Sequence, residues 1–363
     1  MTAHHAHPAP PLTLEDLARL DDLPAEEKAP DEVREGLATV RAPVTMPPGE
    51  KLRQKGGGTF VLPEGSFYGR AMTETELHEI GTLRAPDTPP RPHRPLWQPL
   101  LHYPRPTGPS LKMMRRINGS TVIPLTTGVY AEYPPRQTFF PSGYPWSCIG
   151  RIFIRNDAGS PNWDASGTAV LVGKRAVLTV AHAVPWGAPN ASIQFVAGYF
   201  DGNSSAGAGG QSWATAAHGY AGQDVTAHDM AVLRLADPLG DWLGGMGARP
   251  FDDSWRGGAY WTSVGYPGDV DNAERPSFQS SIHVIDDDED GDAQELEHHA
   301  DETPGDSGGA FFGTWSDGPY AVGTVSGFEQ VNGPLGIGSE DNNISAGGNA
   351  LTGLVNFART TWT

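Results

Sequence analysis

Three short stretches hold the residue types needed to make a hydroxyl attack a carbonyl. His182 follows the apolar run Leu178–Ala181, Asp229 opens the apolar run that ends at Leu235, and Ser307 sits in the glycine-rich turn Pro304–Gly309. A serine hydroxyl is a weak nucleophile at neutral pH, so an imidazole must take its proton. A carboxylate must hold that imidazole in the right tautomer, and the oxyanion that forms needs two fixed N–H donors. Glycines beside Ser307 let the backbone aim such donors, and the amides of Gly305 and Ser307 are the ones expected to do so. Taken singly, the stretches also fit a packing histidine, a turn aspartate and an ordinary loop. The specific signal is all three in one chain, in the order His, Asp, Ser.

The serine turn also satisfies the G-x-S-x-G pattern of the α/β-hydrolase elbow. That reading fails on order, because the last histidine is His299 and none follows Ser307. The elements around the motifs also disfavour it. From about Tyr144, short β-branched and aromatic runs alternate with glycine turns, as expected for a barrel or sandwich. Strands are expected at 148–155, 167–172, 176–180, 193–200, 230–235, 260–266, 278–285, 310–315 and 320–327. Leu351, Leu354, Val355 and Ala358 have helical spacing, so the chain is expected to finish in a helix at about 350–360.

Residues 1–120 differ in texture. They hold 18 of the 33 prolines and carry 15 basic and 15 acidic side chains. We expect this segment to be weakly structured or draped over the rest. Short helices are expected at 13–20, with Thr13 as N-cap and Asp16 at N3, and at about 73–80. The remainder carries 10 basic and 28 acidic side chains, which accounts for the whole net charge of −18. Such a surface is unsuited to nucleic acid and favours basic peptides weakly. No apolar run is long enough for a membrane span, and the first residues lack the apolar stretch of a signal peptide. Compartment is left open. The single cysteine, Cys148, has no partner for an internal disulfide. His4, His5 and His7 match no structural metal site. No metal or cofactor is expected.

The stretches 144–152, 166–173, 178–184, 228–235, 264–269, 303–311 and 321–327 together resemble the trypsin-like serine peptidases. The resemblance is strongest to the disulfide-free bacterial branch that includes the glutamyl endopeptidases. It implies an all-β fold of two six-stranded antiparallel β-barrels, at about 145–245 and 246–350, within a peptidase domain over 121–363. It also implies a triad of His182, Asp229 and Ser307 in the cleft between the barrels, a polypeptide substrate and a monomer. The runner-up is a non-catalytic, peptide-binding member of the same fold.

The resemblance places Asp301 and Glu302 at the base and edge of the pocket for the side chain before the scissile bond. It places Val325, Ser326, Gly327 and Phe328 on the strand that pairs with substrate. Asp301 would favour Arg or Lys by charge pairing, although disulfide-free members carry an aspartate there without that preference. Glu302 and Val325 fit glutamyl specificity poorly, since Glu302 would repel an acidic side chain. Asp306 matches the aspartate that binds a new N-terminal amine when a zymogen is cut. Arg115-Arg116-Ile117 then reads either as an activation site, with Ile117 as the new terminus and 1–116 as a pro-region, or as a solvated basic pair. The run Asp286–Glu302 has ten acidic side chains and no Lys or Arg. It is expected to be a solvated loop, with calcium binding as the sharper alternative. His298 and His299 are expected at the surface, or lining the cleft.

Overall fold

The computed structural model describes residues 8–41, 60–61, 77–80, 83–108, 114–117, 121–124, 133–160, 162–186, 188, 190–220, 227–331 and 340–363. Six strands make the first lobe: β1 (Ile149–Arg155), β2 (Ala165–Gly173), β3 (Ala176–Thr179), β4 (Ser192–Ala197), β5 (Gln211–Tyr220) and β6 (Ala231–Leu235). They pair antiparallel in the order β4-β1-β2-β3-β6-β5, and β5 pairs back onto β4. The ring is therefore a closed barrel, which removes the exposed strand edge of an open sheet. Ile152, Val170, Leu178, Phe195 and Val232 are fully buried within this core.

The second lobe contains β7 (Trp261–Gly265), β8 (Ser277–Ile282), β9 (Asp286–Asp290), β10 (Ala293–His298), β11 (Ala310–Trp315), β12 (Gly318–Val331) and β13 (Glu340–Gly347). Their order is β9-β10-β13-β12-β11-β7-β8, antiparallel throughout, and the strand Gln137–Phe140 extends it beyond β8. The centre is a separate aromatic cluster that includes Trp255, Trp261, Phe311, Trp315 and Tyr320. The C-terminal helix, Gly348–Thr361, buries Leu351, Leu354, Val355 and Ala358 completely, so the helical spacing read from the sequence is the packed face. The all-β architecture with a terminal helix is the one expected. No helix among the described residues is long and apolar enough to cross a membrane.

Several local expectations need correction. Residues 77–80 form a strand parallel to β5, not the end of a helix, while 71–76 lie outside the described residues. The acidic run is not a loop: β9 and β10 form a hairpin turned at Gly291, with φ 66°. Arg256 pairs with Asp286 and Asp287 and offsets part of its charge. His298 is not at the surface. It is fully buried, stacks on Phe311 at a 4.4 Å centroid distance, and lies 3.0 Å from Ser345 Oγ. Burial pushes its pKa down to about 3.

The described parts of the N-terminal segment lie against the two lobes. Thr13 and Asp16 form the expected capping box at the helix Leu14–Ala18, and a second helix spans Asp31–Ala38. The indole N–H groups of Trp255 and Trp315 donate to the carbonyls of Pro8 and Ala9 at 3.2 and 2.9 Å. Further along, His93 bridges Gly245, and Trp97 Nε1 donates to the Trp242 carbonyl at 2.9 Å. The hairpin of Met114–Ile117 with Thr121–Pro124 is described by its backbone, and it includes the Ile117 position.

Within the aromatic cluster, Trp261 is fully buried and its Nε1–H has no acceptor among the described residues. Leaving such a donor unpaired costs about 1–3 kcal/mol. Trp261→Ala should therefore lower stability by about 3–5 kcal/mol through the cavity it opens. Trp261→Phe should cost no more than about 1 kcal/mol, because the lost area is offset by removing the orphan donor. Denaturant unfolding of the two variants compares these outcomes directly.

Candidate active site

His182 lies in a single 3-10 turn, Ala181–Ala183, immediately after β3. The turn swings the imidazole off the barrel wall and leaves its side chain 31% exposed. Asp229 precedes β6 and is fully buried. Its Oδ1 accepts the His182 backbone N–H at 2.9 Å, and its Oδ2 lies 2.6 Å from His182 Nδ1. That contact places the proton on Nδ1 and leaves the lone pair on Nε2. Oδ2 also accepts the Ser326 hydroxyl at 2.5 Å. Three donors thus converge on one buried carboxylate.

Ser326 reaches Asp229 because β12 bulges there. The pairing of β12 with β13 slips between Val325 and Gly327, so Ser326 is the extra residue. A bulge re-aims a side chain in this way. The family resemblance puts Ser326 on the strand that pairs with substrate, and the structure adds its hydrogen bond to Asp229. Val325 is buried, Gly327 pairs with Ile344, and Phe328 is half-buried at the same end of the strand.

Ser307 is half-buried in the turn between β10 and β11. Gly305 and Gly308 on either side have φ of 109° and 84°. A Cβ at Gly305 would lie 2.4 Å from the Tyr266 carbonyl, and one at Gly308 would lie 2.1 Å from the Thr168 carbonyl. Both conformation and space therefore require glycine. Thr168 of β2 holds the turn from the other lobe. Its N–H donates to Ser307 O and its hydroxyl to Gly305 O, both at 2.8 Å. Gly308 N–H donates to Val325 O at 2.8 Å, which sets Ser307 beside the Ser326 bulge. Among the described residues, the amides of Gly305 and Ser307 donate to no protein acceptor, and no hydrogen bond joins the Ser307 hydroxyl to His182.

The region N-terminal to Ser307 is organised by Arg136, a residue that sequence reasoning did not single out. Its side chain is 3% exposed. Its Nη2 contacts Asp269 Oδ2 at 2.7 Å, its Nε contacts Asp301 Oδ2 at 3.1 Å, and its Nη1 lies 3.9 Å from Asp306. Burial works against the charge on Arg136, but the surrounding carboxylates hold its pKa above the usual value. Asp301 is thus a buried carboxylate paired with an internal cation. Glu302 is also buried and accepts the Ser263 hydroxyl at 2.6 Å. Nothing in the sequence pattern marked Arg136 beyond its being one of few basic residues in the acidic half.

Residues 167–318 match the family model of the trypsin-like peptidase domain. Among solved structures, the fold is similar to the protease Anisep from Arthrobacter nicotinovorans, at 21% identity and a TM-score of 0.45 over 62% of this chain and 99% of that one. It is also similar to a Glu endopeptidase in complex with MPD, at 19% identity and a TM-score of 0.44 over 60% and 92% of the two chains. A thermostable serine protease AL20 from an extremophilic microorganism gives 21% and 0.42 over 59% and 98%. No curated protein sequence matches this chain. Over residues 167–318 the chain is therefore similar to the trypsin-like peptidase domain.

Asp306 generates a pH prediction. Burial pushes its carboxyl up to about 7, with Arg136 pulling the other way. An unfolded aspartate titrates near 4. The folded state therefore binds the extra proton between these limits, and the stability this contributes is fully present below about 4 and lost as pH rises through about 7. Asp306→Asn mimics the protonated form. Wild type should lose stability relative to this variant as pH climbs through that window. Parallel denaturation curves for both proteins from pH 4 to 8.5 would test it, and curves that stay at a constant separation would refute it.

Proposed function

We propose that this chain hydrolyses internal peptide bonds through an acyl-enzyme formed on Ser307. Ser307 Oγ attacks the scissile carbonyl carbon while His182 Nε2 takes the hydroxyl proton. The C=O electron pair moves onto oxygen, to which the amides of Gly305 and Ser307 donate hydrogen bonds. As the C–N bond breaks, the imidazolium returns its proton to the departing amine. Water, activated by the same nitrogen, then cleaves the ester and restores the serine. Asp229 stays ionised throughout and holds Nδ1–H. Val325, Ser326, Gly327 and Phe328 form the strand proposed to align substrate backbone.

The observation that carries this reading is the buried Asp229 carboxylate, bonded at once to His182 and Ser326, with the Ser307 turn tied to the neighbouring Val325. The hydroxyl and the imidazole are not hydrogen-bonded here, and bonds of this kind commonly tighten only when substrate binds. The Asp301 carboxylate is engaged by Arg136, which weakens the basis for a basic side-chain preference.

Full-length protein treated with a fluorophosphonate should be labelled at Ser307, and His182→Ala should abolish the labelling. Asp229→Asn should lower kcat by about 10⁴-fold, because the ring then settles in the wrong tautomer. An unlabelled but peptide-binding wild type would instead establish the non-catalytic reading.

A further inference from the structure

We propose that Arg136 is a positioning residue that holds the Thr303–Ser307 turn in its working conformation while the chain is uncut. The inference rests on the acyl-enzyme reading above, and it assigns the order of that site to an internal side chain.

The argument is a closed network. Arg136 immediately precedes the strand Gln137–Phe140, whose pairing with β8 (Phe278 with Gln137, Ser277 with Thr138) fixes the backbone from which the side chain enters. The guanidinium binds Asp269 through both terminal nitrogens, at 3.3 and 2.7 Å. Asp269 in turn accepts the Thr303 hydroxyl at 2.6 Å, and Asp306 accepts the Thr303 N–H at 2.9 Å. Cation, Asp269, Thr303 and Asp306 are thus linked without a break up to the residue before Ser307. A second link runs beside it. Gln279 accepts the Asp301 N–H at 2.6 Å and donates to the Pro134 carbonyl at 3.0 Å. The segment Pro134–Arg136 therefore grips the approach to the serine turn through both backbone and charge.

Electrostatics explains why the residue must be a cation. Asp269, Asp301 and Asp306 all face this guanidinium, and the last two are almost fully buried. Buried carboxylates persist only when paired. Arginine suits the position because its planar fork serves several acceptors at once, whereas a lysine offers a point charge. The resemblance reading looked to a new amine at Ile117 as the partner for Asp306. The structure places an internal cation against that carboxylate with residues 114–117 still in the chain.

Two measurements test this. The first is hydrogen exchange, which needs no turnover. In Arg136→Met, the amides of Asp306, Gly308 and Gly309, bonded to Thr303 O, Val325 O and Asp306 O, should exchange at least about tenfold faster, while those of β4 stay unchanged. Equal protection in wild type and variant would overturn the proposal. Where both are active, kcat should fall by about 10²–10³-fold with KM shifted by less than about threefold, and Arg136→Lys or added ethylguanidinium with Arg136→Ala should restore part of it. The second uses Arg115→Gln/Arg116→Gln, which blocks cleavage before Ile117. Its protein, shown intact by mass spectrometry before and after assay, should label at Ser307 as fast as wild type. Labelling that appears only with a shortened chain would overturn the proposal. Failure of every protein to label, with protection still dependent on Arg136, would count against the acyl-enzyme reading and leave the positioning role supported.

Discussion

The carboxylate of Asp229 is the point on which the molecule turns. An ionised group removed from water costs several kcal/mol unless donors replace the lost hydration. Here the donors are two from His182 and one from Ser326. The first residue belongs to the barrel and the second to the other lobe. One buried charge therefore requires the two lobes to meet in a single register. Any displacement of one lobe would strip a donor from the carboxylate, so the interface is specified by an electrostatic demand as well as by apolar contact.

The serine side of the cleft is held by the same division of labour. Thr168 stands on β2 of the barrel, yet its backbone and hydroxyl take the two carbonyls of the serine turn. It also accepts the Tyr266 N–H at 2.9 Å, and its own carbonyl accepts the Thr179 hydroxyl at 2.8 Å. The Gly305 and Ser307 amides share their peptide planes with the Pro304 and Asp306 carbonyls, which accept from Gly268 N at 2.8 Å and Gly309 N at 2.7 Å. A peptide group with its oxygen held in this way resists rotation, so the orientation of its N–H is set before any substrate arrives. In the proposed acyl-enzyme mechanism, dipoles preorganised in this way would lower the barrier without reorganising during the reaction.

Legibility in the sequence followed the kind of interaction involved. The strands rich in Val, Ile and Leu, such as β2, β3 and β6, were readable because a pleated, buried surface demands those residues. β5 was not. Gln211–Tyr220 has alanines in a thin, crowded wall of the closed barrel, where tertiary packing and not side-chain preference makes the strand. The β9–β10 hairpin escaped for the opposite reason, since five consecutive acidic residues carry no strand signal and gain their order from pairing partners and Arg256. The candidate triad positions could be read because each sits in a local motif. Arg136 could not, because its role depends on Asp269, Asp301 and Asp306, which come within reach only after folding.

The proline content of the N-terminal segment acquires a physical meaning once its partners are known. Proline lacks an N–H but keeps its carbonyl, and its fixed φ leaves little chain entropy to lose on docking. The carbonyls of Pro8, Pro90 and Pro99 accept from Trp255 Nε1, Ala248 N and Tyr144 N. Each of those three donor residues is buried. A strap of ordinary residues would bring an extra donor for every acceptor it supplied, and each donor would need its own partner. At its prolines the strap delivers acceptors without donors, and the donors it does bring, such as His93 N and Trp97 Nε1, meet the Gly245 and Trp242 carbonyls. Arg359 of the C-terminal helix completes the arrangement by donating to the Arg91 and Met246 carbonyls, both at 2.7 Å, so strap, inter-lobe segment and helix share one guanidinium. Residues 83–108 thus satisfy polar groups that the two lobes cannot satisfy for themselves. Stripping them away would leave the Tyr144 and Ala248 amides to water or to nothing, on the segments that lead into β1 and out of the inter-lobe connection.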